Sequence, residues 1–168
     1  MNAARPHVVI TGPMGVGKST VAARLAAALG WPERDSDRDI ERVFGVSGAV
    51  LAAEADVAQL HALEAAVLLG ALAAPGPLVI SAAASVVDNP WCRRAIPRRS
   101  RLVVLDAPVD VVLSRIPAGR HRRSIDAEDL EALIDRRRPH LDDLADLTVD
   151  ATATIDAVVS EVLEHLSG

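Results

Sequence analysis

Residues 12–19 have the sequence Gly12-Pro13-Met14-Gly15-Val16-Gly17-Lys18-Ser19. This matches the pattern G-x-x-x-x-G-K-[ST], and it lies where that pattern is meaningful, between an apolar strand and an amphipathic helix. Glycines let successive backbone N–H groups converge on phosphate oxygens, and the helix N-terminus adds a favourable dipole. The lysine is expected to reach the β- and γ-phosphates, and the serine hydroxyl is expected to bind Mg²⁺. The stretch therefore predicts a P-loop that binds ATP and Mg²⁺ through Gly12, Met14, Gly15, Val16, Gly17, Lys18, Ser19 and Thr20.

The lysine of this stretch is unusual within the chain. Lys18 is the only lysine, beside 17 arginines. A chain that uses arginine at every other basic position retains lysine where a compact point charge is needed and a planar fork does not fit. We therefore expect Lys18 to be a catalytic residue.

Outward from residues 12–19, short apolar runs alternate with helical stretches, which is typical of an α/β fold with a mainly parallel sheet. The first helix is predicted over Lys18–Leu29. The residues from 117 to about 125 are expected to form a mobile lid, because Pro117–Arg123 has few apolar side chains to bury. We see no repeat and no linker, so residues 1–168 are expected to form a single domain. The predicted strands are His7–Thr11, a short strand that ends at Asp35, Leu78–Ser81, Leu102–Asp106 and Leu147–Val149.

Composition excludes several classes of protein. The net charge of −5 argues against a nucleic-acid binder. Cys92 is the only cysteine, so an intramolecular disulfide is impossible. The apolar runs are too short or too interrupted to cross a membrane, and we expect a cytoplasmic monomer without a membrane or nucleic-acid partner. Twelve of the 17 arginines lie between Arg93 and Arg138, either as a solvated face or as a half that handles anions.

A P-loop alone does not define a kinase, because motor ATPases and GTPases share it. The chain has no room for the additional elements of a motor domain, and it has no Asn-Lys-x-Asp motif for guanine. These features favour a kinase of a small metabolite. Asp106 follows an apolar run and allows two interpretations, a Mg²⁺ ligand or the cap of a helix that begins near Pro108.

The remaining motifs resemble those of shikimate kinases. The resemblance runs nearly ungapped over most of the chain and is carried by the P-loop, Asp35-Ser36-Asp37, Ile40-Glu41, Leu60-His61-Ala62-Leu63-Glu64, Val79-Ile80-Ser81 and Arg137-Arg138-Pro139 before Ala145-Asp146. It implies a P-loop kinase fold, with a five-stranded parallel sheet of order 2-3-1-4-5, helices on both faces and a closing lid. It also implies ATP-dependent transfer of a phosphate to a hydroxyl of a small acceptor that is anionic, such as shikimate.

The resemblance further implies a role for individual residues. Asp35 would hold Mg²⁺ through water, and Asp37 would bind the acceptor hydroxyl and assist its deprotonation. Arg122 would steady the transferring phosphate from the lid, and Arg115 would pack on adenine. Arg137 would clamp the acceptor carboxylate. The residue pattern agrees for the two aspartates, because they follow a strand at the edge of the sheet where ligands collect.

Three departures from the family pattern lie on the acceptor side. The second clamping arginine is replaced by His61, which is largely neutral at pH 7. The glycine triplet of the family is Ala82-Ala83-Ala84, and alanine resists the positive φ that glycine permits. Leu141 stands where the family usually has tyrosine. Two alternatives therefore stay open beside a kinase of a shikimate-like acid: a kinase of another acceptor such as a sugar, cyclitol or other polyol, and a catalytically weak nucleotide-binding regulatory module.

Overall fold

Five parallel strands form the sheet, and the predicted order β2-β3-β1-β4-β5 is confirmed. The computed structural model describes residues 5–47, 50–51, 57–116 and 126–168. The predicted lid and Arg122 therefore lie outside the described residues. The strands are β1 (His7–Thr11), β2 (Glu33–Asp35), β3 (Val79–Ser81), β4 (Ser100–Asp106) and β5 (Leu147–Asp150).

Seven α-helices lie among the described residues. They are α1 (Lys18–Leu29), α2 (Ser36–Phe44), α3 (Val57–Leu72), α4 (Pro90–Arg99), α5 (Val109–Arg115), α6 (Ala127–Leu144) and α7 (Ile155–Ser167), and a 3₁₀ helix spans Ala84–Asp88. None of the helices in these ranges is long and apolar enough to cross a membrane. The first helix begins and ends at the predicted residues, and Gly30 ends it in the left-handed conformation at φ 66°.

The central strands are buried on both faces, because helices cover the sheet on both sides. Side chains alternate along a strand, so Val8 and Ile10 of β1 enter one core with α1 and α7. Val9, between them, enters a second core with α3 and α4. This arrangement explains why the strands appear in the sequence as uninterrupted apolar runs, and it directs every strand's carboxyl end to the same edge of the sheet.

The structure excludes one of the two interpretations of Asp106. Asp106 is the last residue of β4 and does not cap the next helix, whose N-cap is Pro108. Helix α6 contains Pro139 and continues to Leu144. A proline inside a helix removes one backbone hydrogen bond, and here the burial of Leu141 and Leu144 against the second core offsets that loss.

Candidate active site

A cavity of about 910 Å³ lies at the carboxyl edge of the sheet. The segments that follow four neighbouring strands form its walls, through Lys18, Asp35, Ala83 and Asp106. Ligands collect at this edge in open α/β sheets because the loops there diverge. We call the part formed by residues 12–20 and Asp35 the nucleotide half, and the part formed by Asp37, His61, Glu64 and Arg137 the acceptor half.

The P-loop has a backbone that only glycine adopts comfortably. Gly12, Gly15 and Gly17 have φ values of 148°, 75° and 108°. A Cβ on Gly12 would collide with the carbonyl oxygen of Leu105, and one on Gly15 would lie 2.9 Å from Cγ1 of Ile116. The loop thus packs closely against Leu105 and Ile116 on one side. Its other side faces the cavity, as the binding of phosphate requires.

Lys18 and Ser19 are positioned by the first turn of α1. The Nζ of Lys18 donates to the carbonyl oxygens of Gly12 and Pro13 at 2.9 and 3.0 Å. The Ser19 hydroxyl donates to Oδ2 of Asp35 at 2.7 Å. Hydroxyl and carboxylate oxygens are hard donors of the kind that Mg²⁺ prefers, so this pair fits the ion.

Asp35 is fixed by a second task. Its Oδ1 accepts hydrogen bonds from the backbone N–H groups of Asp37 and Arg38 at 3.0 and 3.2 Å, which makes it the N-cap of α2. The other carboxylate oxygen faces Ser19. Asp35 therefore ends β2, caps α2 and forms an oxygen pair with Ser19 of the kind that Mg²⁺ prefers. This local structure places Asp37 on the cavity wall in the first turn of α2.

The other predicted nucleotide residues have different positions. Met14 and Thr20 line the cavity. Val16 is buried in the first core, and its contribution is a carbonyl oxygen that accepts from Nη1 of Arg115 at 3.3 Å. The same Nη1 donates to the carbonyl oxygen of Ala151 at 2.8 Å. Arg115 thus ties the P-loop to the turn after β5; its packing on adenine stays a prediction.

The alanines divide into two kinds. Ala83 and Ala84 line the cavity. Ala82 is completely buried in the second core, where its carbonyl oxygen accepts from the hydroxyl of Thr11 at 3.1 Å. Ala83 has φ −62° and ψ 147°. This is ordinary extended backbone, so the expected conflict between alanine and a positive φ does not arise at Ala83.

His61 lies half-buried on α3 and lines the acceptor half. Burial lowers the pKa of its imidazole from 6.5, and the positive charge of Arg137 lowers the pKa further. The negative charge of Asp88 acts in the opposite direction, and Arg136 in the same direction as Arg137. The imidazole is therefore neutral at pH 7.

Glu64 is a residue of this half to which sequence reasoning assigned no role. It lies one turn after His61 on α3, lines the cavity and is 8% exposed. Its Oε2 accepts a hydrogen bond from the hydroxyl of Ser85. Burial raises the pKa of the carboxyl group, Asp37 raises it too, and Ser85, Arg137 and Lys18 lower it. A lone carboxylate at helical spacing from His61 was the signal available in the sequence.

Arg137 is buried on α6, and its guanidinium is paired within the protein. Nε donates to Oδ2 of Asp88 at 3.0 Å, and Nη2 lies 2.9 Å from the same oxygen. The Arg137 side chain is 8% exposed and lines the cavity. Sequence reasoning missed Asp88, and nothing in its local sequence marks it.

Comparison with known proteins agrees with this geometry. The family model described as shikimate kinase matches residues 14–167. A shikimate kinase from Rhizobium meliloti is 36% identical over 95% of this chain and 86% of its own length. One from Thioalkalivibrio sulfidiphilus is 32% identical over the same two shares. The fold matches that of shikimate kinase from Acinetobacter baumannii in complex with shikimate, with a TM-score of 0.87, 23% identity and coverage of 98% of this chain and 94% of the other. The chain therefore belongs to the shikimate kinase family of ATP-dependent phosphotransferases.

Proposed function

We propose that this chain transfers the γ-phosphoryl group of ATP to a hydroxyl group of shikimate or of a closely related small hydroxylated acid. The observation that carries the proposal is the continuity of the cavity. Lys18 and Ser19 of the nucleotide half line the same space as Asp37 and Arg137 of the acceptor half. Phosphoryl transfer is mainly a matter of positioning and charge stabilisation, so a shared cavity of this kind suits it.

Each residue of the two halves that is named below has a proposed role in the transfer. The P-loop N–H groups and Lys18 hold the β- and γ-phosphates, and Arg137 attracts the acceptor carboxylate. Asp37 accepts the proton of the acceptor hydroxyl while the oxygen of that hydroxyl forms a bond to the γ-phosphorus. The bond from that phosphorus to the bridging oxygen breaks, and its electron pair leaves with ADP. Mg²⁺, held by Ser19 and through water by Asp35, would neutralise charge on the phosphates. Arg122, which lies outside the described residues, is proposed to steady the transferring group.

A second candidate is a kinase whose acceptor is a neutral sugar, cyclitol or other polyol. It is favoured by one observation, the pairing within the protein of Arg137, the buried cation of the acceptor half. Arg137 is paired with Asp88, and the imidazole of His61 is neutral at pH 7. Both candidates share the nucleotide half and the direction of transfer.

ADP release measured across a panel of acceptors tests both candidates. The panel contains shikimate, its methyl ester, inositol and glucose, each at saturating MgATP, with ATP alone as the background. We expect shikimate to give the highest kcat/KM. A higher value for inositol or glucose than for shikimate contradicts the first candidate and supports the second. No acceptor-dependent release, in a protein that binds MgATP, contradicts both and leaves the nucleotide-binding regulatory module.

A further inference from the structure

The ion pair between Arg137 and Asp88 has a consequence for the acceptor. An arginine that clamps a carboxylate does so through two parallel N–H groups on one edge of its guanidinium. In this chain one oxygen of Asp88, Oδ2, accepts a hydrogen bond from Nε at 3.0 Å and lies 2.9 Å from Nη2, which has no hydrogen-bond partner among the described residues. Arg136 adds a weaker contact, with Nη2 at 3.7 Å from the same oxygen. The carboxylate of Asp88 therefore compensates part of the positive charge of Arg136 and Arg137 from inside the protein.

The position of Asp88 is fixed by its surroundings. It is the last residue of the 3₁₀ helix that follows β3, and Asn89 caps α4 immediately after it. The guanidinium of Arg93 binds the backbone carbonyl oxygens of Val87 and Asp88 at 2.7 and 3.0 Å. These contacts fix the backbone at Asp88, so its carboxylate stays within reach of Arg137 whether or not an acceptor is bound.

An acidic acceptor therefore meets a competitor. While Asp88 is hydrogen-bonded to Nε, the acceptor carboxylate has the Nη1–Nη2 edge, where it lies near a second carboxylate of the same sign. The cavity wall near Arg137 also carries the exposed Arg136, the buried carboxyl group of Glu64 and His61, a mostly neutral imidazole that offers at most one N–H to an anion. A neutral acceptor binds through hydrogen bonds to its hydroxyl groups and does not depend on the charge of Arg137.

We propose that Asp88 is a specificity-determining residue of the acceptor site, because its carboxylate competes with the carboxylate of an acidic acceptor for Arg137. The site then binds acids more weakly than an unpaired arginine would, and it binds neutral polyols without that penalty. The proposal rests on the proposed function only in that the cavity receives the acceptor. A charged hydrogen bond is typically worth a factor of about 10 or more in binding, and we expect an effect of about that size.

The test compares wild type with Asp88→Asn, which keeps the shape of the side chain and removes its charge. Calorimetric titration with shikimate and with shikimate methyl ester, both in the presence of MgADP, separates the effect on the acid from the effect on the neutral analogue. We expect Asp88→Asn to lower the Kd for shikimate about 10-fold and to change the Kd for the ester less than 2-fold. The KM for ATP is expected to stay unchanged.

Asp156→Asn is the matched control, because Asp156 also pairs with an arginine, Arg24, on the surface formed by α1 and α7. It removes the same charge and is expected to leave both Kd values unchanged. If Asp88→Asn does not fold, as judged by its thermal transition, Asp88→Ser serves in its place with the same expectations. An equal or weaker affinity for shikimate in the folded variant overturns the proposal, because Asp88 would then position Arg137 and not compete for it.

The readouts separate this proposal from the proposed function. Tighter binding of the acid in Asp88→Asn without turnover of any acceptor supports the role of Asp88 and contradicts the kinase. Efficient turnover of shikimate with no change in Kd on substitution supports the kinase and contradicts the role of Asp88.

Discussion

The nucleotide half and the acceptor half of the cavity handle charge in different ways. In the nucleotide half Lys18 donates to two carbonyl oxygens, and we expect a bound phosphate to replace them. In the acceptor half Arg137 already has a carboxylate partner, and Glu64 is buried beside it. A phosphate therefore meets an ammonium held by carbonyl oxygens, whereas a carboxylate meets a guanidinium whose Nε is already hydrogen-bonded to Asp88. We therefore expect the nucleotide half to favour a polyanion, whereas an anion in the acceptor half has to compete with Asp88 for Arg137.

The largest effect is expected at Lys18, which is therefore the most direct test of the difference between the two halves. Lys18→Arg keeps the charge, but the guanidinium is too broad for the space between the carbonyl oxygens of Gly12 and Pro13. We expect kcat/KM to fall at least about 100-fold, a loss of ~2.7 kcal/mol in transition-state stabilisation. Steady-state ADP release measures it.

The matched control for this substitution is the reverse exchange on the same helix. Arg24→Lys changes a side chain that is 60% exposed and is expected to leave turnover unchanged. If Lys18→Arg keeps more than about a tenth of wild-type turnover, a loss below ~1.4 kcal/mol, Lys18 does not bind the γ-phosphate and the contrast between the halves is lost.

The next effect concerns the acceptor half, at His61. His61→Arg supplies a second guanidinium beside Arg137, so an acidic acceptor gains a charged contact that the neutral imidazole does not offer. We expect the Kd for shikimate to fall about 10-fold, or about 1.4 kcal/mol, close to the lower end of the usual 1.5–3 kcal/mol for a charged hydrogen bond. Calorimetry with the methyl ester is the control, because the ester lacks the charge. An equal gain for the ester would show that size, and not charge, limits the site.

A smaller effect is expected from pH, and its sign follows from the environment of His61. Burial and the charge of Arg137 lower the pKa of the free imidazole below 6.5. A bound anion favours the protonated form, so shikimate affinity rises as pH falls and levels off only below pH 6.5. We expect an increase of about 2- to 5-fold between pH 7.5 and 5.5, the size of a modest charge interaction. His61→Gln is expected to give a flat profile over this range, and a flat wild-type profile would place His61 away from the bound anion.

The nucleotide half could be predicted because its chemistry is local. The P-loop is contiguous, and its glycines, Lys18 and Ser19 are fixed by spacing alone. The role of Asp35 came from the family resemblance, and its position after a strand agrees with it. The order of the strands came from the family resemblance, because alternating apolar runs define an α/β class but not the sequence of neighbours.

The acceptor half was less predictable because its contacts depend on packing. Asp88 and Arg137 are 49 residues apart, and they meet only because the 3₁₀ helix packs on α6. Glu64 lies in an apolar helix, where the sequence shows a carboxylate but not that it faces a cavity. Ala82 and Ala83 are adjacent and identical, yet one is in the core and the other lines the site.

The smallest effect is expected at Ala83, and it sharpens the comparison by testing shape apart from charge. At φ −62° alanine and glycine both fit, so Ala83→Gly relieves no strain. The substitution adds freedom to the unfolded chain and is expected to lower the free energy of unfolding by about 0.4–1 kcal/mol. It removes one methyl group from the cavity wall, and we expect the Kd for shikimate to change less than about 4-fold, since one methyl group is typically worth about 0.8 kcal/mol or less. Calorimetric titration measures the Kd, and urea unfolding measures the free energy of unfolding. A gain in shikimate affinity larger than that from His61→Arg would mean that the added methyl groups, and not the paired charges of Arg137 and Asp88, restrict the acceptor half.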